Sequence, residues 1–438
     1  MKRLFSGMAT TVLMAGLLAG CGGGNGNEAN GNGNAANGNG AKGSNEPATE
    51  TAKEVKLEFW TISLQPKFND YFNNLFAAYQ KDHPNVKIDW KDYPYDGLQS
   101  QLLTSIAGGS APDVVNLNTE LANQMGSKGA LVDMNQEITP ETKAAYFDGI
   151  YKSTEIDGKA YGLPWYTSSQ VLFINKAIAE KAGLDVSNPP KTREDLLTWA
   201  RQVKEKTGIA GYAQQVNSNL LAVDGVPLLS EDKKKAGFNT DAGYQAIENQ
   251  RKLYEDGIIP KEDANFDKQV TYFASQQVAF ELSGSTFINR LQTAAPDVYK
   301  QTMAVPMPLG KAGSRFSNTM NIAVPAKSDN VKEAVEFAAF LTNAQNQLEF
   351  AKVANTLPST KDSIKDPFFS QDDGTLEAQA KIASSQGLEN ASDFLLGVEK
   401  AGDINTTIVK HLQNIFLNKA DVKAEMDAAA KEVEGLLQ

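Results

Sequence analysis

The sequence predicts an α/β protein built as two lobes, on three observations. The pattern β-α-β-α-β stands within about 65 residues after Val55, and that order winds helices around a parallel sheet. The folded body is roughly 385 residues, too long for one hydrophobic core and suited to two. Helical and strand periodicities then recur with no internal repeat.

The elements follow in order. Val55-Lys56-Leu57-Glu58-Phe59-Trp60 alternates apolar and polar and then turns apolar, as a strand entering a core does. Pro66 is expected to open a helix with Phe68, Tyr71, Phe72, Leu75, Phe76 and Tyr79 on one face. Val86–Trp90 reads as a second strand. Leu98, Leu102, Leu103 and Ile106 mark a second helix stopped by Gly108-Gly109, and Asp113–Leu117 is a third strand. Asp157-Gly158 is a hairpin turn signal. Further helices are expected at Glu194–Lys206, Ala242–Glu255, Val331–Thr342 and Thr406–Leu417. Short strands are expected at Val171–Ile174, Val278–Leu282 and Met320–Val324, before a helical C-terminus.

The N-terminal region reads differently. Lys2 and Arg3 precede an apolar run, Met8 to Ala19, shorter than the roughly 20 residues a bilayer span needs. A basic head, a short apolar segment and small residues form a secretory signal, here residues 1–20. Leu18-Ala19-Gly20-Cys21 resembles the bacterial lipobox, in which the thiol receives a diacylglyceryl group and becomes the mature N-terminus. Cys21 is the only cysteine, so no disulfide or thiolate metal site is expected. Residues 21–54 are rich in Gly, Asn and Ala, bury little apolar surface, and suit a disordered tether. The body would then sit on the outer face of a cell membrane through lipid alone. The long tether favours a Gram-positive surface over a periplasm.

Net charge is −11 with 41% hydrophobic residues, ordinary for a globular body and against a nucleic-acid partner, which calls for a basic face. The run Lys233-Lys234-Lys235 sits beside Glu231 and Asp232 and reads as a solvated loop. There is no G-x-S-x-G and no P-loop, and His83 and His411 lie far apart, on expected helix ends, with no metal-ligand spacing. No catalytic residue, metal or cofactor is expected. A lipid-anchored glycoside hydrolase is the enzymatic alternative.

"VKLEFWTI", "HPNVKIDW", "LLTSIAGGSAPDVVNLN", "GALVDMN", "YGLPWYTSSQVLFINKAIAEKAGL", "VAFELSGS" and "IAVPAKSDNVKEAVEFAAFLTNAQNQLEFA" stand in this order. Together they resemble the extracellular solute-binding proteins of ABC sugar importers, the class that includes maltose-binding protein. The resemblance runs from Val55 to the end. It implies a periplasmic-binding-protein-like fold with a hinge and an interlobe ligand cleft, acting as a monomer with membrane permease subunits as partners. It places the first lobe at 55–163 and 322–372 and the second at 164–321 and 373–438, with crossings near Pro164, near Asn321 and in the 370s. A non-sugar solute, or a sensor role beside a membrane kinase, stays compatible with the same fold.

A sugar presents an apolar C–H face and a rim of hydroxyls, so its site wants aromatic planes with carboxylate, amide and hydroxyl groups around them. Such groups lie beyond the carboxyl ends of strands. Trp60, at the end of the first strand, fits either core or ligand, and Gln65 follows in its loop. Asn118 and Glu120 follow the third strand, where the resemblance implies a polar or acidic contact; a Glu in a first helical turn also suits the helix dipole. Trp165 and Tyr166 follow Pro164 at the implied hinge, and one of the pair is expected to touch ligand, with Ser168 and Gln170 nearby. Trp90 and Trp199 sit inside periodic elements and read as core. Sugar binders of this class often carry Gly-Pro-Trp where this chain has Gly284-Ser285-Thr286, with Phe287 as a substitute ring. "NSNLLAVDG" also lacks the aromatic residues of maltose-type binders. Ser283, Ser285, Asn217, Asn219 and Asn321 therefore suggest a smaller, more polar site.

Overall fold

The computed structural model describes residues 53–438. The expected signal segment, Cys21 and most of the expected tether lie outside the described residues. The body, through Gln438, is one compact unit holding two sheets, each with its own core.

Strand β1 (Val55–Ile62) pairs in parallel with β2 (Val86–Tyr93), Phe59 opposite Trp90. Helix α1 (Asn69–Asp82) joins them and buries Phe72, Leu75, Phe76 and Tyr79, the spacing that drives it onto the sheet. It starts three residues beyond Pro66, which lies in the turn before it. His83 caps its C-terminus and stacks on Tyr79, ring centroids 4.1 Å apart. Helix α2 (Tyr95–Ala107) leads to β3 (Val114–Asn118), parallel to β1. Asn118 ends β3 and caps α3 (Thr119–Ser127), its side chain accepting the Leu121 amide at 2.8 Å.

A two-residue turn at Asp157-Gly158, both at positive φ (52° and 79°), joins β4 (Glu155–Ile156) to β5 (Lys159–Ala160), as its sequence requires. The remaining strands are β6 (Leu163–Ser169), β7 (Val171–Asn175), β8 (Ala210–Tyr212), β9 (Val278–Ser283), β10 (Thr302–Pro306), β11 (Arg315–Ala323), β12 (Leu357–Pro358) and β13 (Ala391–Ser392). The first sheet runs β12-β6-β11-β3-β1-β2, with β13 on β11. The second runs β10-β7-β9-β8. The expected helices appear at Arg193–Thr207, Asp241–Glu255, Val331–Leu341 and Ala401–Asn418.

Two of the three expected crossing points move. Pro164 and Asn321 lie within the first sheet, because β6 is hydrogen-bonded between β11 and β12, and β11 between β3 and β6. The chain leaves the first sheet at Gln170 and returns between Pro306 and Arg315. Residues 373–438 are also not all in the second lobe. The helix Leu376–Gln386 packs into the second lobe's core beside Phe173 and Phe287. Leu388 and Ala391 then return to the first lobe beside Phe147, Ile150 and Phe369, and β13 joins the first sheet. Gly149 permits this approach: a Cβ there would stand 2.3 Å from the Ala391 carbonyl oxygen. From Leu396 onward the chain belongs to the second core, with Leu172 and Phe280. The 393–396 segment is thus a further crossing between the lobes.

Candidate binding site between the lobes

A cavity of about 380 Å³ lies where β3, α3 and β11 of the first lobe face residues 217–219 and 394–409. Its first-lobe wall carries Asn118, Glu120, Asn123, Gln124 and Asn318. Its second-lobe wall carries Asn217, Asn219 and Asn405, the last accepting the Ser218 hydroxyl at 2.7 Å. Phe316 and Phe394 stand together in the lining, ring centroids 6.1 Å apart and planes 36° apart, both half-buried. Glu120 lies in the first turn of α3 and accepts a long bond, 3.4 Å, from Gln124. An aromatic pair ringed by amides, with the Glu120 carboxylate on the wall, suits a ligand with an apolar face and many hydroxyls.

At the base sits Asp393, 8% exposed. Burial raises its carboxyl above the usual range, and hydrogen bonds from Ser317, Thr119 and Thr319 oppose that rise. Ser317 Oγ donates at 2.5 Å, Thr119 Oγ1 at 2.6 Å and the Thr319 amide at 3.2 Å.

A second crevice of about 460 Å³ lies between residues 167–169 and 354–357 on one side and 285–289 and 377–384 on the other. Ser168 and Ser285 line it, with Lys67, Asn289 and Lys381. It shares no lining residue with the first cavity.

The sequence-expected residues therefore divide. Asn118 and Glu120 meet in the first cavity, with Asn217 and Asn219 opposite. Ser168 and Ser285 face the other crevice. The rest line neither cavity. Trp165 is buried in the first lobe's core, stacked on Phe350, and Tyr166 packs beside the same ring. Trp60 is core too: its Nε1 donates to Glu58 and its ring lies against Tyr93. Asn321 is fully buried and donates to Thr119 Oγ1 at 3.0 Å, so it supports the wall from behind. Ser283 is buried at the end of β9, Phe287 is fully buried in the second lobe, and Gln65 is exposed in its turn. His411 lies inside a helix rather than at its end, Nδ1 2.5 Å from Glu425 Oε2.

Phe316, Phe394 and Asp393 escaped sequence reasoning. Phe316 is a lone ring in "GSRFSN", Asp393 and Phe394 are adjacent in "ENASDFLLG", and 78 positions separate the two rings. Only the return of residues 388–393 to the first sheet unites them. Among the described residues no group of three or more His, Cys, Asp or Glu is placed to hold a metal ion, and no helix is long and apolar enough to cross a membrane.

The profile of the bacterial extracellular solute-binding protein family matches residues 74–378, and the chain belongs to that family. It is a binding protein and not an enzyme, and its fold is the two-lobe fold of the sugar-binding proteins it resembles in structure. It is 24% identical over 379 residues to the galactooligosaccharide-binding protein of Bacillus subtilis, covering 83% of this chain and 85% of that one. The melibiose/raffinose/stachyose-binding protein of the same organism is 23% identical over 356 residues, covering 75% and 80%. Among solved structures, the cyclic alpha-maltosyl-1,6-maltose binding protein of Arthrobacter globiformis superposes with a TM-score of 0.74 at 20% identity, covering 88% and 99%. The sugar-binding protein MalE of Xanthomonas citri gives 0.75 at 20%, covering 87% and 97%.

Proposed function

We propose that this protein is a receptor that binds a sugar or oligosaccharide between its lobes and delivers it to the permease subunits of an ABC importer. The observation that carries the reading is the cavity lining: Phe316 and Phe394 among amides and a carboxylate drawn from both lobes. The named ligands of the relatives are oligosaccharides, which supports it.

Binding follows from geometry. The aromatic pair covers a C–H face, and Asn118, Glu120, Asn217 and Asn219 exchange hydrogen bonds with hydroxyls. A ligand touching both walls favours the closed arrangement by its differential contacts. The chain segments crossing at Gln170 and between Pro306 and Arg315 would carry the hinge motion. Cys21 anchors the receptor through lipid on the outer face of the membrane, with residues 22–54 as the tether, and the receptor works as a monomer.

Calorimetric titration with raffinose, a galactooligosaccharide, an arabinooligosaccharide and maltotetraose tests the ligand class. At least one is expected to bind, with a fall in radius of gyration by small-angle scattering. Binding of none of them, with a peptide or polyamine bound instead, would overturn the reading. Binding unchanged in Glu120→Gln and Phe394→Ala but lost in Ser285→Trp would move the sugar to the second crevice. Mass spectrometry of the mature protein tests the anchor: a lipid-modified Cys21 at the N-terminus is expected, and residues 1–20 still attached would refute it.

A further inference from the structure

The carboxylate of Asp393 does more than satisfy a loop. Its Oδ2 accepts from Thr119 Oγ1, in the first turn of α3, and from the Thr319 amide; its Oδ1 accepts from Ser317 Oγ and, at 3.2 Å, from Thr319 Oγ1. Its own amide donates to Ser153 Oγ at 3.0 Å. Thr119 stands between Asn118 and Glu120, two of the polar residues of the first-lobe wall. Ser317 is the strand neighbour of Phe316. The residue after Asp393 is Phe394, where the chain sets off for the second lobe. One buried residue therefore ties α3 and β11, which carry the polar first-lobe wall and Phe316, to the root of the crossing segment. The positive end of the α3 dipole beside Thr119 favours a carboxylate at this spot.

We propose that Asp393 is the positioning residue of the ligand cavity: it locks α3 and β11 to the crossing segment, so that Asn118, Glu120, Phe316 and Phe394 face one ligand together. This rests on the cavity as the binding site and goes beyond it by naming what sets its geometry. Asp393 acts through Thr119, Ser317 and Thr319. Its ties are to hydroxyls, which rotate, and to one amide. An asparagine whose carbonyl takes the Oδ2 place keeps the bonds from Thr119 and the Thr319 amide, while its NH2 donates to the hydroxyls of Ser317 and Thr319. Asp393→Asn thus preserves the lock and Asp393→Ala removes it.

Two measurements decide the matter. Amide exchange of the sugar-free protein reads the walls directly: in Asp393→Ala, segments 119–127 and 394–401 are expected to exchange about tenfold faster or more, with the helix Val331–Leu341 unchanged. Wild-type rates in both segments would overturn the proposal. Titration with whichever of raffinose and maltotetraose binds the wild type reads the consequence: Kd is expected to rise about tenfold or more in Asp393→Ala and to return to within about threefold in Asp393→Asn. Equal losses in both variants would show that charge matters rather than position, and would refute it. If neither sugar binds the wild type, the ligand reading suffers while amide exchange still decides the lock. Should Asp393→Ala fail to fold, Thr119→Val and Ser317→Ala each cut one tie to Asp393, the first also losing the bond from Asn321. The first is expected to speed exchange in both segments and the second in 394–401, and wild-type rates in both variants would overturn the lock.

Discussion

The indole of Trp165 lies almost flat on the ring of Phe350, centroids 4.9 Å apart and planes 17° apart. Trp165 belongs to β6 and Phe350 to the helix Ala344–Ala354, so the contact fastens that helix to the first sheet. Phe72 closes the cluster at 6.0 Å from the indole. Trp165→Ala is expected to cost about 3–5 kcal/mol of stability, as large-to-small core changes do. Ligand affinity of the folded fraction is expected to stay at the wild-type value. Denaturant unfolding and titration on the same preparation separate the two quantities, and a wild-type midpoint with lost affinity would contradict this placement.

Phe316 and Phe394 behave in the opposite way. Both are half-buried beside the cavity, so truncating either removes less core than truncating Trp165. Each alanine variant is expected to weaken sugar binding by about tenfold or more, since stacked rings dominate such pockets. Melting temperatures should stay within about 2 °C of wild type, a shift worth roughly 1–2 kcal/mol in a body of this size. Unchanged affinity in both variants would remove the aromatic platform from the account.

Asn118 and Glu120 are neighbours on the same wall with different duties. Asn118 caps α3, so Asn118→Ala is expected to lose about 0.5–2 kcal/mol of stability as well as affinity. Glu120 makes one long bond to Gln124, so Glu120→Gln should leave the melting temperature alone. Loss of one carboxylate contact to a ligand hydroxyl is worth about 1–3 kcal/mol in binding. Calorimetry with thermal melts checks the split; a large drop in melting temperature for Glu120→Gln would refute it.

These contrasts show where the sequence was readable. The first β-α-β-α-β unit, the Asp157-Gly158 hairpin and the later helices were legible because apolar periodicity and turn chemistry are local. Asn118 and Glu120 were legible as candidates because a strand that passes directly into a capped helix puts those side chains beyond the carboxyl end of the sheet. Trp165-Tyr166 misled for a physical reason. An aromatic pair in a strand was expected to send one ring to the cleft. Yet β6 is an interior strand, and the rings of Phe72 and Phe350 close over the face that Trp165 occupies. Asp393 and Phe394 were illegible because their role depends on a chain excursion that no local pattern announces.

Glu281 gives the last prediction. It lies on β9 opposite Phe173, fully buried, and neither carboxylate oxygen has a hydrogen-bond partner among the described residues. Burial alone raises its carboxyl well above the ordinary range, since the charged form loses water and gains nothing in return. The sign follows by linkage. The folded state keeps this proton over a pH range in which the unfolded chain has already lost it. The contribution of Glu281 to stability is therefore complete below the unfolded value, about 4.3, and declines as pH rises toward the folded value. Glu281→Gln keeps the shape and abolishes the titration. The difference in melting temperature, variant minus wild type, is expected to be small near pH 4.5 and to grow in favour of the variant as pH rises from there. Other titrating groups are common to both proteins and cancel in that difference. A difference that stays flat with pH, or that grows toward acid, would mean that Glu281 is charged in the folded protein and has a partner.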